Sequence, residues 1–247
     1  MNDYLEKILC IIPARGGSKG IPDKNIKLLS GIPLVAHSIL HAIYAGVPKK
    51  NIILSSDSQD ILKIANDYDI RPLERPSFIS GDNSPTEDAL LHALDYATKK
   101  DGVDYSSVLL LQPTSPIRFI KTINGFLDFS VLSSFDSCLA TTMFYDFFWE
   151  ADGSYGVSSS YDFNKRPMRQ GLRKYKHFDC GNMYFTRTNT LLENRCRLGN
   201  CVGIFNISHL EGLQIDTLED FEIIDSIYSG KITDSLCSIE NPIKNVK

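Results

Sequence analysis

The sequence predicts an α/β fold built on a mostly parallel sheet. Three short, unbroken apolar runs carry that expectation: "KILCII" (7–12), "NIILS" (51–55) and "VLLL" (108–111), each ending at a polar or proline-containing stretch. Runs of this kind read as strands covered on both faces, as parallel sheets require. Helical patterns lie between them, and strand–helix alternation implies right-handed crossovers. Successive parallel strands place their carboxyl ends on one edge, and open α/β sheets bind ligands outside that edge. The loops after the three runs are therefore expected to converge.

The first helix is expected in "PLVAHSILHAIYAG" (33–46), with Pro33 in its first turn and Gly46 at its stop. A second is expected in "SPTEDALLHALDYATKK" (84–100). There Ser84 can cap, Pro85 can take the first helical position and Glu87 can close a capping box. Ala89, Leu90, Ala93, Leu94 and Ala97 form its apolar stripe. Asp57, at the end of the second run, reads as a cap for the helix that follows. "DSCLATTM" (136–143), "GNMYFT" and "CVGIFNI" read as further strands, and "ADGSYG" as a hairpin. "QIDTLEDFEIIDSIYSG" (214–230) reads as a short strand, a Thr217 cap and an amphipathic helix ended by Gly230. No linker divides the chain, so one domain over 1–247 is expected, with an aromatic and basic excursion over about 144–178.

Composition narrows the function. The net charge of −4 gives no global attraction for nucleic acid or anionic membrane, so an anionic ligand must meet a local basic cluster. No apolar segment is long enough to span a bilayer, and "MNDYLEKILC" lacks the pattern of an export signal. The six cysteines (10, 138, 180, 196, 201, 237) are scattered and lack zinc spacing. Reduced thiols in a cytoplasmic protein are the expectation. Histidines 37, 41 and 92 read as helix-face residues without ligand company, and neither His177 nor His209 is assigned as a base.

The local cluster is "IIPARGGSKGIPDKN" (11–25). Glycines 16, 17 and 20 let main-chain N–H groups turn toward one point, an anion-binding arrangement. Arg15, Lys19 and Lys24 add charge, and arginine grips phosphate oxygens with two prongs. The spacing fits neither the dinucleotide fingerprint nor the Walker pattern. A phosphate ligand explains the loop economically; a solvated surface loop is the alternative.

The same stretch resembles the first signature of the acylneuraminate cytidylyltransferases, the CMP-sugar synthetases. "LLLQPTSPIR" (109–118) resembles their second signature, and "ERPSFISGDNSPTEDAL" (74–90) the stretch between. The resemblance runs from about residue 7 to about residue 228. It implies a Rossmann-like sheet of the nucleotide-diphospho-sugar transferase type, with a small dimerisation excursion. It also implies CTP and an acidic nine-carbon 2-keto sugar as substrates, Mg²⁺ as cofactor and a homodimer.

By resemblance, Ala14, Arg15, Gly16, Gly17, Ser18, Lys19, Lys24 and Asn25 contact nucleotide, with Arg15 and Lys24 stabilising charge on the leaving pyrophosphate. Arg75 and Thr86 lie near cytidine; a surface arginine and an ordinary first-turn threonine are the alternatives. Gln112 lies between nucleotide and sugar, since an amide both donates and accepts. Ser115 and Arg118 are further candidates, a loop brace being the alternative for Arg118. Asp216 is the metal candidate and counts with Arg15, Lys24 and Gln112 as catalytic; a helix cap is its alternative. Sialic-acid members usually carry Asp-x-Asp here, whereas this chain reads Gln214-Ile215-Asp216. Arg166, Arg169, Gln170, Arg173 and Lys174 form a basic patch, with Arg166, Gln170 and Tyr184 as sugar-site candidates. "DCGNMYF" (179–185) keeps the family's glycine and tyrosine at Gly181 and Tyr184 but departs at Cys180 and Asn182. Sialic, legionaminic and pseudaminic acids all stay open as substrates. The related transferase for the eight-carbon acid KDO and a non-catalytic nucleotide sensor are the competing readings.

Overall fold

The computed structural model describes residues 3–17, 20–144, 147–168 and 176–230. Its main sheet has seven strands: β1 (Ile8–Pro13), β4 (Ile52–Ser56), β5 (Arg71–Glu74), β6 (Ser107–Leu111), β7 (Ser137–Phe144), β10 (Lys176–Arg187) and β11 (Val202–Asn206). Two small sheets complete the count, β2 (Leu28–Leu29) with β3 (Ile32–Pro33), and β8 (Trp149–Asp152) with β9 (Tyr155–Ser159). In the main sheet the order is β11-β7-β10-β6-β1-β4-β5. β5, β4, β1 and β6 run parallel, as do β7 and β11, while β10 runs antiparallel between β6 and β7.

This order positions the site. From β1 the chain goes to β4 on one side and returns to β6 on the other. The connections diverge at the carboxyl ends of β1 and β6, and a crevice opens at such a reversal. The loops after β1 and β6 line it, and the loop after β4 packs against the β1 loop through Asp57 and Ser58.

The expected helices form, as α1 (Leu34–Tyr44), α3 (Thr86–Asp101) and α6 (Leu218–Tyr228), joined by α2 (Gln59–Asp67), α4 (Ile120–Leu132) and α5 (Thr188–Asn194). Alternate residues of β1 enter opposite layers. Ile8, Cys10 and Ile12 pack with Val35 and Ile39 of α1 and Phe126 of α4. Leu9 and Ile11 pack with Leu90, Ala93 and Leu94 of α3. A third cluster sits beneath the crevice and joins Ile21, Ile117 and Ile215, one from each of three loops, to Phe221 and Ile224 of α6. Burying one such isoleucine is worth about 1.5–3 kcal/mol, enough to hold irregular backbone in place.

Several helix ends differ from expectation. The N-cap of α3 is Pro85 with no side-chain cap bond, so the Ser84–Glu87 box does not form. Glu87 instead pairs with Arg197, Oε1 to Nε 2.7 Å. The cap of α2 is Ser58, not Asp57, and it too makes no side-chain cap bond. Thr217 does cap α6, in a box with Asp220. Residues 214–216 form no strand; the Ile215 N–H donates to the Thr114 carbonyl at 2.7 Å.

The hairpin at 149–159 forms a separate sheet, turning at Gly153, whose φ of 55° suits glycine. It exposes apolar side chains, Tyr155 at 82%. Cys10, Cys138 and Cys180 are buried free thiols, Cys196 is half-buried and Cys201 exposed; Cys237 lies outside the described residues. Among the described residues no helix is long and apolar enough to cross a membrane.

Two of the helix-face histidines face inward. His37 and His41 on α1 are fully buried. The His37 Nε2 lies 3.1 Å from the Leu29 carbonyl, and both His41 nitrogens lack a partner. Burial pushes the His37 pKa down to about 4 and that of His41 well below its usual value. Below about pH 6.5 the unfolded chain binds protons that the folded chain refuses, so stability is present above that pH and is lost as pH falls toward 4. His37 alone accounts for about 3 kcal/mol of that loss. Urea unfolding between pH 7 and pH 4 should show the decline, and His37→Gln should reduce it; an unchanged acid dependence in that variant would remove His37 from the account.

Candidate active site

The crevice holds a cleft of about 420 Å³. Its walls come from the loop after β1, the 75–86 segment, the loop after β6 and Asp216.

The loop after β1 is tied at both ends. Ala14 is buried and its N–H donates to the Ser55 carbonyl at 2.9 Å, which prolongs the pairing with β4. The Gly16 N–H donates to Asp57 Oδ1 at 2.9 Å. A Cβ on residue 16 would sit 2.9 Å from the Ser58 Cβ, so the missing side chain lets the loop lie on the end of β4. Of the main-chain N–H groups expected to turn toward an anion, those of Ala14 and Gly16 are bonded within the protein, while Gly20 lines the cleft. Further along, a Cβ on Gly20 would meet the Asp216 carbonyl oxygen at 2.6 Å. Glycine is needed there so that the loop can touch that backbone.

Lys24 closes the contact. Its Nζ donates to the Ile215 carbonyl at 2.7 Å and lies 3.7 Å from Asp216 Oδ1. Its side chain is 12% exposed. Desolvation lowers its pKa below the usual lysine value, and Asp216 opposes that shift. The Asn25 Nδ2 donates to the Arg15 carbonyl at 2.9 Å, which fixes the start of the loop.

Arg15 and Arg75 add cations to the wall. The Arg15 Nη1 lies 2.6 Å from Asp82 Oδ1 on the opposite lip. Arg75 is buried, 8% exposed, with Nη2 3.9 Å from Asp57 and Nε donating to Ser80 Oγ at 3.2 Å. Desolvation lowers its pKa, and the charge of Asp57 raises it in part. Among the described residues the walls thus carry the cations Arg15, Lys24 and Arg75 against the carboxylates of Asp82 and Asp216. Thr86, at the start of α3, faces the same space.

Gln112 stands at the end of β6, half-buried, in the wall. Across from it the β10 register shifts between Asp179 and Tyr184, and Gly181 takes a φ of 61°. A Cβ there would lie 2.5 Å from Gln112 Oε1 and 3.4 Å from Gln214 Nε2, so both amides crowd one glycine. The loop after β6 is stitched to this bulge, with Ser115 Oγ donating to the Cys180 carbonyl at 3.3 Å.

Two of the sugar-site candidates sit apart from the cleft wall. The Arg166 guanidinium stacks over the Phe147 ring at 4.1 Å, and the Tyr184 hydroxyl donates to Asp179 Oδ1 at 2.6 Å. Ser18, Lys19, Arg169, Gln170, Arg173 and Lys174 lie outside the described residues. Asp57 and Asp82 were missed as parts of the site. "SSDS" at a strand end pointed to a helix cap, and nothing in "GDNS" announced an ion pair with Arg15, 67 residues away.

Asp216 suits a divalent cation that shares its oxygens with a bound phosphate. Its side chain is 69% exposed and faces the cleft. Among the described residues no three His, Cys, Asp or Glu side chains gather as a metal cage. A single carboxylate would leave most coordination positions of a divalent cation to other oxygen donors.

Known proteins share this sequence and fold. The profile of the family described as cytidylyltransferase matches residues 9–125. The pseudaminic acid cytidylyltransferase of Campylobacter jejuni serotype O:23/36 is 30% identical over 229 residues, 90% of this chain and 96% of that one. The CMP-N,N'-diacetyllegionaminic acid synthase of Legionella pneumophila is 41% identical over 120 residues, 47% of this chain and 50% of that one. The N-acylneuraminate cytidylyltransferase of Streptococcus agalactiae serotype V is 30% identical, with 87% of this chain spanning 52% of that one. The chain thus spans about half of two of these relatives and nearly all of the Campylobacter protein. Among solved structures, CMP:2-keto-3-deoxy-manno-octonic acid synthetase complexed with CTP superposes with a TM-score of 0.66 at 14% identity, over 92% of this chain and all of that one. That likeness bears on fold, and it agrees with the nucleotide-diphospho-sugar transferase type expected from the sequence. With its motifs, its sheet order and a relative aligned over nine-tenths of its length, the chain belongs to the cytidylyltransferase family of enzymes.

Proposed function

We propose that the protein couples CTP to a nine-carbon 2-keto sugar acid, giving a CMP-sugar and pyrophosphate. The observation that carries this is the meeting of Arg15, Lys24, Arg75, Gln112 and Asp216 in one cleft from four separate segments. The sugar's anomeric oxygen forms a bond to the α-phosphorus, the bond from that phosphorus to the pyrophosphate oxygen breaks, and the hydroxyl proton is lost. Negative charge accumulates on the leaving pyrophosphate. Arg15 and Lys24 are placed to meet it, and preorganised charges in a cleft are worth more than charges in water. Arg15 must exchange its Asp82 partner for phosphate oxygens as CTP binds. Arg75 and Thr86 hold the cytidine end, and Gln112 orients nucleotide and sugar together. Asp216 is the residue that would hold Mg²⁺, which when bound neutralises the phosphates and polarises the α-phosphate.

The named relatives act on legionaminic, pseudaminic and acylneuraminic acids, which supports a nonulosonic acid here. The second motif, "QPTSP", supports the same class over KDO, whose transferases usually carry a "GDEP"-like sequence there. The excursion around the 149–159 hairpin, with Trp149, Tyr155 and Val157 exposed, is the surface we assign to contact with a second copy. The sugar-site role of Arg166, Gln170 and Tyr184 belongs to that arrangement. Buried free thiols support a reducing, cytoplasmic setting.

Purified protein with CTP, Mg²⁺ and a panel of 2-keto sugar acids should release pyrophosphate with a nine-carbon acid; release with none of them, or fastest release with KDO, overturns the reading. Asp216→Ala should fold normally, judged by thermal unfolding, and lose turnover by about a hundredfold or more. Retained Mg²⁺-dependent turnover would remove Asp216 from the site. Gly20→Ala should push the loop off the Asp216 backbone, costing about 1–3 kcal/mol of stability and weakening CTP binding in a calorimetric titration.

A further inference from the structure

Arg118 is the largest side chain that the fold buries completely, at 1% exposure. No carboxylate pairs with it among the described residues. A guanidinium taken out of water needs compensation, and here backbone and amide oxygens from separate elements provide it. Nη2 donates to the Gln112 carbonyl at 2.6 Å and to the Asn182 carbonyl at 2.7 Å. Nε donates to the same Asn182 carbonyl at 3.2 Å and to Asn182 Oδ1 at 3.1 Å. Nη1 donates to Ser38 Oγ on α1 at 3.0 Å. Asn182 is itself held, its Nδ2 donating to the carbonyls of Glu211 at 2.6 Å and Ile117 at 3.2 Å.

The targets of these bonds are informative. Gly181 lies between Cys180, whose carbonyl accepts from Ser115, and Asn182, whose carbonyl accepts from Arg118. The glycine on which the Gln112 amide rests is therefore fastened on both sides to the loop that carries Gln112. The remaining prong of Arg118 fastens the main chain of Gln112 itself. A planar fork of five N–H donors can reach all these acceptors at once, which a lysine cannot.

We propose that Arg118 is a positioning residue for Gln112, locking the Gln112 main chain and the β10 bulge at one spacing so that the amide is presented over Gly181 into the cleft. The proposal rests on the reading above, in which Gln112 meets substrate. Displacing a positioned group by an ångström costs on the order of 10²-fold in rate, so the fork matters although it never touches the ligand.

Arg118→Lys keeps the charge and loses the fork. It should lower kcat/KM for the acid sugar by about ten- to a hundredfold. Because the effect passes through Gln112, Arg118→Lys should add little in a Gln112→Ala background. The same loss in both backgrounds, or unaltered kinetics in folded Arg118→Lys, overturns the proposal. Should Arg118→Lys fail to fold, Ser38→Ala removes one acceptor of the fork and runs the same cycle with a smaller factor; additivity with Gln112→Ala then overturns it. One readout needs no turnover. The Gln112 side-chain amide resonance, assigned by its absence in Gln112→Ala, should shift in Arg118→Lys, or in Ser38→Ala if that variant is used; an unmoved resonance overturns the proposal. If no acid is turned over by the unaltered protein and the resonance still moves, the functional reading fails and the positioning role stands.

Discussion

The amine of Lys24 against the carbonyl of Ile215 is the contact on which the cleft depends. It joins segments 191 residues apart and places a cation beside the carboxylate of Asp216. A nearly buried ammonium ion is costly unless its donors are used, and the geometry directs one at the carbonyl oxygen of Ile215, a residue whose own N–H donates to the Thr114 carbonyl. Gly20 permits the approach, and the apolar cluster of Ile21, Ile117 and Ile215 supports it from below. Loops with no regular hydrogen-bond ladder are thereby held as firmly as a strand end.

The division of labour within the first loop follows from the same economy. Gly16 gives its N–H to Asp57 and Gly20 fits against Asp216, so both permit close packing. The side chains of Arg15, Lys24 and Arg75 bring positive charge to the cleft wall. All three are already near carboxylates, Arg15 to Asp82, Lys24 to Asp216 and Arg75 to Asp57. Among the described residues these cations and carboxylates largely offset one another, and in the proposed reaction the polyphosphate of CTP would displace or share those partners.

Much of this was legible in the sequence. Unbroken apolar runs announced β1, β4 and β6, and the parallel topology inferred from them brought their loops together. Thr217 marked the start of α6 because its cap is satisfied three residues away. Failures cluster where a partner lies far along the chain. Glu87 has the spacing of a capping box but turns to Arg197, 110 residues on. Asp57 looks like a cap and instead holds Gly16. The turn between β2 and β3 uses left-handed Ser30 and Gly31, yet strands of two residues leave no periodicity to read. Arg118 is the sharpest case, since composition places arginine at the surface and only the folded backbone supplies acceptors that let it be buried. The basic patch read at 166–174, with solvated surface as its alternative, has only Arg166 among the described residues.

The 191-residue reach of Lys24 also sets an order of events during synthesis. A ribosome that has released about half the chain has already produced every strand of the parallel half-sheet, yet the Ile215 carbonyl that Lys24 needs does not exist. Long-range closure of this kind is slow compared with local helix formation. The parallel half can therefore gather before its ligand cleft has a fourth wall. Any ligand that requires the finished wall adds its binding free energy to the docking of residues 214–228, so occupancy favours molecules in which that segment is docked.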